Sequence, residues 1–308
     1  MPDPTEISST TAARRTWRVR LGYLLVVVIW GTTWYGIHTQ VNGTSPHLAV
    51  AARMGAASII FFAIAGALRV PLRLTSYQTR QVLIQGVCFF GLNYLAVYAG
   101  AQYLTSGVVA VLFSIFVPLN IVIEWALYGK RPRLIVVAAA VTGMCGIAMV
   151  FSTELERASF SHLALWGAAL VLFSATLVAL GNVLATRLMS SELSPLVFNA
   201  YGTAAGTAAI LLWGLISGAS WSLVITPTWL TGLSYLVLIG TVVAFGVYMK
   251  ILPLIGSVAG AYVAVLSPII AIGISSVLEG LPLTAATMVG VVLLLIGHSL
   301  LAAQRKRG

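Results

Sequence analysis

Long apolar stretches separated by short polar ones run the length of the chain. They predict helices over 21–39, 47–68, 80–102, 105–127, 133–151, 162–187, 194–217, 228–250, 256–278 and 284–303. Each is close to the ~20 apolar residues that a helix needs to cross a bilayer. Turn residues or charges lie between them: Thr44-Ser45-Pro46, the polar run from Arg69 to Arg80, Lys130-Arg131-Pro132-Arg133, Glu154 to Ser161, and Ser190 to Pro195. The apolar runs are continuous, whereas the strands of an outer-membrane barrel alternate over about ten residues. The expected fold class is therefore all-α, a polytopic membrane protein with ten transmembrane helices.

Composition narrows this further. Of 308 residues, 59% are hydrophobic and 8% charged, against about 25% charged in soluble domains. A soluble enzyme, a disordered regulator and a disulfide scaffold are excluded. The net charge of +10 would suit nucleic acid if it were clustered, but its distribution follows topology. With ten spans and a cytoplasmic N-terminus, 15 of the 17 Lys and Arg residues fall on the cytoplasmic side. That is the positive-inside pattern. Arg157, flanked by Glu154 and Glu156, falls outside, and Arg53 lies within a span. Both termini are expected in the cytoplasm and the basic residues against anionic lipid. The expected partners are a small-molecule substrate and the lipid bilayer, with no nucleic acid and no obligate protein partner evident. The run after Arg14–Arg20 is longer than a signal-peptide core and has no small-residue cleavage site. Cys88 and Cys145 fall in apolar segments and read as packing residues, with neither a disulfide nor a metal site implied. No cofactor is expected.

Ten spans divide into five and five. Ser45-Pro46 opens the second and Ser194-Pro195 the seventh; Pro118 and Pro268 lie inside the fourth and ninth. Pro132 and Pro282 precede the fifth and tenth, and Tyr98 and Tyr248 sit near the ends of the third and eighth. These pairs are offset by 149 or 150 residues. Because five is odd, the second half enters the membrane inverted. Inverted repeats are a feature of secondary transporters, with the site near the midplane between the halves. The expected organisation is a cytoplasmic tail over 1–17, five-helix repeats over 18–151 and 152–303, and a basic tail over 304–308.

Trp30-Gly31, Ser45-Pro46 with Arg53, Ser106-Gly107 with Ala110, Pro118, and Gly143 with Gly146 follow one another in the first half. Pro268, Glu279, Leu283-Thr284, Gly290 and Gly297 follow in the second. In this order the chain resembles the drug/metabolite transporter superfamily, in its EamA-like ten-helix branch. One departure is Gly129-Lys130-Arg131, where that family often has Gly-Glu. Within the branch the chain is most similar to bacterial amino-acid and metabolite exporters, including aromatic amino acid exporters. The resemblance implies an inner-membrane carrier that exports zwitterionic amino acids by alternating access. It leaves the exact substrate open.

Polar groups at membrane depth are costly and usually face protein or a water-filled cavity. In the third span Phe90, Tyr94, Tyr98 and Gln102 recur every four residues and so share a face, with Asn93 beside them. Such a stripe suits an apolar side chain with a polar head, or simple helix packing. Arg53 is read either as a partner for a substrate carboxylate or as a cation that snorkels outward. Glu124, an acid inside the fourth span, is either a proton-coupling carboxylate or a partner of Lys130 or Arg131; the pair is favoured. Trp30, Thr33 and Trp34 in the first span are further cavity candidates. So are Asn182 in the sixth, Asn199 and Tyr201 in the seventh, Tyr248 in the eighth, and Tyr262 and Ser267 in the ninth. Each has an alternative as an interhelical contact. Pro118 and Pro268 are candidate hinges or static kinks. Trp17, Trp221 and Trp229 read as interfacial aromatics. The glycine pairs Gly202/Gly206, Gly214/Gly218 and Gly256/Gly260 have the spacing of close helix packing.

An embedded enzyme would need a catalytic or metal constellation, and the spans hold no such motif; the chain is expected not to be an enzyme. A channel would repeat a filter motif, and primary transport would need a phosphate-binding loop; neither is present. Among carriers, a phosphorylated or nucleotide-sugar substrate would want several buried cations. A cationic drug would want a central carboxylate. One cation, several amides and many aromatics fit a neutral amino acid best, with a multidrug or nucleotide-sugar carrier as the alternative.

Overall fold

Proline and threonine at the expected positions start most of the helices. The computed structural model describes residues 4–129, 131–157, 161–189, 193–261 and 263–305. Among the described residues the regular structure is all helical. We number the helices α1 (Pro4–His38), α2 (Pro46–Ala67), α3 (Ser76–Gly100), α4 (Ser106–Tyr128), α5 (Leu134–Arg157), α6 (His162–Met189), α7 (Pro195–Ile216) and α8 (Pro227–Ile255). Then come α9, in two described stretches (Ser257–Ala261 and Val263–Leu278), and α10 (Ala285–Arg305). Nine of these are long and apolar enough to cross a membrane, and the apolar part of α10 covers Ala285–Gly297.

Pro46, Pro195 and Pro227 occupy the first turns of α2, α7 and α8, where a missing N–H is harmless and the fixed φ suits the helix. At α3, Thr75 accepts a bond from the Gln78 N–H at 3.2 Å and donates its own N–H to the Gln78 side chain at 3.0 Å, a reciprocal cap. Gly129 ends α4 at φ +70°, a left-handed conformation that glycine reaches without a Cβ penalty.

Several bounds differ from the sequence expectation. α1 begins at Pro4, inside the segment expected as a tail, and α8 continues to Ile255 through Pro253. α4 is interrupted after Phe113 and resumes at Phe116. Pro118 explains the break: it has no N–H for the Ser114 carbonyl, which accepts instead from the Val117 N–H at 3.2 Å. The helix around Pro268 runs unbroken from Val263 to Leu278. The paired prolines therefore act differently on their helices.

The strongest local departures are two π-helical turns, Val87–Leu92 within α3 and Leu238–Val243 within α8. They lie at matching places in the two halves. The inter-helix packing has the same twofold pattern. α1 packs on α8 and α9, as α6 packs on α3 and α4, while α2–α7, α4–α9 and α5–α10 are self-matched pairs.

The bundle exposes large apolar side chains and draws several polar ones into its apolar core. Ile59, Leu212, Leu215 and Val277 are exposed, while Arg53, Asn182, Asn199 and Thr241 are buried. That arrangement suits a lipid exterior. Glycine sets the closest approaches. A Cβ on Gly146 would stand 2.5 Å from the Gly290 carbonyl oxygen, and one on Gly206 2.7 Å from the Phe90 carbonyl carbon. Of the predicted glycine pairs, Gly202/Gly206 packs as expected against α3, whereas Gly218 and Gly256 are positive-φ residues at helix ends. Two other expectations fail. Trp229 is buried, and its carbonyl accepts the Gln40 side-chain amide at 2.8 Å. Cys145 is exposed on α5.

Candidate functional site

A cavity lies between the halves, walled by α1, α2, α3, α4, α6, α8 and α9. Its free volume is about 70 Å³, room for a few ordered waters. Trp30, Thr33, Trp34, Arg53, Asn93, Tyr94, Tyr248 and Ser267 line it, as the sequence suggests. Most of the remaining wall is apolar: Ile37, Phe89, Val97, Phe113, Phe116, Val178 and Phe245.

The aromatic wall is continuous across the repeat boundary. Trp30 meets Phe245 with ring centroids 5.0 Å apart and Tyr248 at 4.9 Å. Trp34 meets Phe113 edge-on at 5.1 Å, and its buried indole N–H has no hydrogen-bond partner among the described residues. Tilted and edge-on contacts of this kind are favoured by the ring quadrupoles.

Arg53 is the polar centre. It is 1% exposed, so it does not snorkel. Its Nε donates to the Thr241 hydroxyl at 2.9 Å, Nη1 to the Tyr98 hydroxyl at 3.3 Å and Nη2 to the Gly240 carbonyl at 3.4 Å. The guanidinium carbon stands 4.7 Å from the centroid of the Tyr94 ring, a cation–π contact. Among the described residues no carboxylate pairs with it. The π turn of α8 makes this possible. Thr241 donates its hydroxyl to the Leu236 carbonyl five residues back at 2.8 Å. The Gly240 carbonyl, displaced from a regular ladder, accepts from Arg53 and also from the Trp30 indole at 3.3 Å. Two interactions at 3.3 and 3.4 Å hold the guanidinium loosely, and it retains N–H groups beyond the three engaged.

The expected stripe on α3 is corrected by its own π turn. A wider turn shifts every residue before it relative to those after it. Phe89 therefore takes the cavity position, and Phe90 packs against Phe198, Phe245 and Gly202 instead. Tyr98 stands behind Arg53 and does not line the cavity, and Gln102 is exposed at the end of the helix. Asn93 lines the cavity while accepting the Ser174 hydroxyl at 2.5 Å and donating to the Phe89 carbonyl at 3.0 Å.

Two other predicted residues lie behind the wall. Asn182 accepts the Tyr248 hydroxyl at 2.5 Å and donates to the Ser257 carbonyl at 3.0 Å. Asn199 is fully buried, and neither side-chain polar atom has a partner among the described residues. Tyr201 donates to the Leu72 carbonyl at 3.3 Å, away from the cavity. Tyr262 lies outside the described residues. Pro118 faces a groove between α4 and α5, whereas Pro268 is buried beside the cavity residue Ser267.

Glu124 has a contact that the sequence reading did not anticipate. Lys130 lies outside the described residues, and the Ser257 hydroxyl of α9 donates to Glu124 Oε2 at 2.8 Å. Glu124 does not line the cavity. Among the described residues no three His, Cys, Asp or Glu gather as metal ligands. Thr241 and Gly240 were missed by sequence reading, because nothing in the local pattern of Leu238–Val243 marks a π turn.

Known proteins bear on this architecture. The model of the EamA-like transporter family matches residues 18–152 and again 165–303, one copy for each half. The uncharacterized transporter YoaV of Bacillus subtilis is 24% identical over 231 residues, covering 71% of this chain and 78% of its own. The uncharacterized inner membrane transporter YedA of Escherichia coli K12 is 24% identical over 257 residues, covering 82% and 80%. A solved crystal structure superposes with a TM-score of 0.71 at 16% identity, over 94% of this chain and 98% of that one, which supports the fold. With both halves matched and the helices paired across them, the chain is a multi-pass membrane protein that belongs to the EamA-like transporter family.

Proposed function

We propose that this protein exports small zwitterionic metabolites, neutral and aromatic amino acids foremost, across the bacterial inner membrane by alternating access. Both termini face the cytoplasm in this reading, because that orientation puts 15 of the 17 basic side chains inside. The observation that carries the substrate class is Arg53, a buried cation with no carboxylate partner among the described residues, in an aromatic cavity. A substrate carboxylate would supply the missing charge through its remaining N–H groups, as charge-assisted hydrogen bonds. The carbonyl of Gly240, the Tyr94 ring and the Asn93 side chain would be near neighbours, and the Trp30–Phe245 wall would take the apolar side chain. The cavity must widen to admit such a solute.

Rival substrates fit less well. A phosphorylated solute favours several cations, and Arg53 is the one Lys or Arg among the lining residues. A cationic drug favours a central carboxylate, and Glu124 is engaged away from the wall. Energy comes from the gradient of the substrate or of an ion.

The test is uptake of labelled Phe, Met and Thr into proteoliposomes, with and without a pH gradient, together with counterflow. Saturable exchange that disappears in Arg53→Ala is the expected outcome. Absence of uptake of all three by folded protein would refute the amino-acid reading. Accumulation only under a pH gradient would bring Glu124 into the coupling mechanism.

A further inference from the structure

α4 and α9 run antiparallel and carry the same two groups in the same order. Each begins with a serine, Ser106 or Ser257, and each has a glutamate at or just beyond its far end, Glu124 or Glu279. Antiparallel packing brings the serine of one beside the glutamate of the other, at both ends.

At one mouth Glu279 accepts the Ser106 backbone N–H at 3.2 and 3.1 Å and also its hydroxyl. His38 at the end of α1 adds a contact of 3.3 Å from Nδ1 to Glu279 Oε1, and the Glu279 side chain is 5% exposed. Gly107 lets the backbones close there: a Cβ would stand 3.2 Å from the Ile272 Cα. At the opposite mouth the Ser257 hydroxyl donates to Glu124. This second contact connects back to the cavity. Tyr248, a lining residue, donates to Asn182, which donates to the Ser257 carbonyl.

We infer that these reciprocal serine–carboxylate contacts are the two latches of the carrier, each closing one mouth between α4 and α9. The inference rests on the alternating-access reading. It does not depend on the substrate. Rocking of one half against the other must separate α4 from α9 at one mouth while keeping them together at the other. Each latch is local to its own mouth, so each can break without the other. Charge-assisted hydrogen bonds are roughly twice as strong as neutral ones, which suits a contact that must hold a mouth shut without locking it. The Tyr248–Asn182–Ser257 chain gives the Glu124 latch a path by which cavity occupancy loosens or tightens it.

The test is side-specific labelling of the cavity. A Val97→Cys reporter is placed in a Cys88→Ala, Cys145→Ala background and treated with a membrane-impermeant maleimide in vesicles of known orientation. Glu279→Gln is expected to speed labelling about tenfold, the effect of losing a charged hydrogen bond. That gain should come only from the membrane face bearing the α9–α10 connection. Glu124→Gln should do the same only from the other face. Ser257→Ala should mirror Glu124→Gln, whereas Ser106→Ala, which keeps its backbone N–H on Glu279, should give a smaller gain from the Glu279 face. Glu279→Ala replaces Glu279→Gln and Ser257→Ala replaces Glu124→Gln if either misfolds. Gains from both faces, from the wrong face, or from neither in folded protein would overturn the inference. Loss of amino-acid transport with side-specific labelling intact would count against the proposed substrate alone. Transport that persists without side-specific labelling would count against the latches alone.

Discussion

The two halves of the bundle build the same frame and place opposite chemistry on it. In the first, α2 presents Arg53 to the π turn of α8, where it meets Gly240 and Thr241. In the second, the matching position on α7 is Gly202, which meets the Phe90 ring at the π turn of α3. The tyrosines differ in the same way. Tyr98 supports a cation, while its counterpart Tyr248 supports an amide, Asn182. An inverted repeat therefore supplies a pair of equivalent sockets. One has been filled with a charge and the other with packing, and this asymmetry gives a symmetric scaffold a single polar pole.

Replacing the charge is the most severe way to break that comparison. Arg53→Met should lower transport kcat/KM by about a hundredfold, the scale of losing charge-assisted bonds to a carboxylate. A buried cation is expensive and an apolar isostere often stabilises, so the thermal midpoint should hold or rise. A lower midpoint with transport unchanged would make Arg53 structural. The packing socket should respond in the reverse sense. Gly206→Ala puts a Cβ against α3 backbone and should destabilise by about 1–3 kcal/mol, measured by thermal unfolding in detergent, with KM little changed in the folded fraction.

The tyrosine pair sharpens the contrast. Tyr98→Phe loosens the guanidinium and should raise KM several-fold. Tyr248→Phe leaves Asn182 Oδ1 without its donor and should cost about 1 kcal/mol of stability, with a smaller change in KM. Equal effects on KM would show that the sockets share the polar work. The prolines give the smallest expected difference. Pro118→Ala restores a donor to the Ser114 carbonyl in a broken helix and should change the transport rate more than the thermal midpoint. Pro268→Ala acts on an unbroken helix and should change the rate less. Identical rates for both variants and the parent would count against a moving hinge.

Much of the frame is legible in the linear pattern, and the site only partly. Ser45-Pro46 and Ser194-Pro195 mark real helix starts, because a proline fixes local φ whatever surrounds it. Trp30, Arg53 and Tyr94 reach the cavity as expected, since a polar or aromatic-rich face at membrane depth has few alternatives to the interior. The stripe on α3 misled at Phe90, because a constant period assumes regular winding. The contact of Glu124 with Ser257 was not legible for a different reason. Sequence neighbours such as Arg131 are visible in a list of residues, while Ser257 stands 133 residues away.

The sequence by itself determined that the chain forms long apolar helices suited to a lipid surrounding and that its landmarks recur in two halves. These depend on the length of apolar runs and the spacing of prolines, which are properties of each segment alone. Only the tertiary structure decided where the π turns fall and that Arg53 meets Thr241, 188 residues away. It also decided that Ser106 and Ser257 each find a glutamate on the opposite helix. Those outcomes depend on which surfaces pack together, and packing is set by pairs of segments that no local window contains.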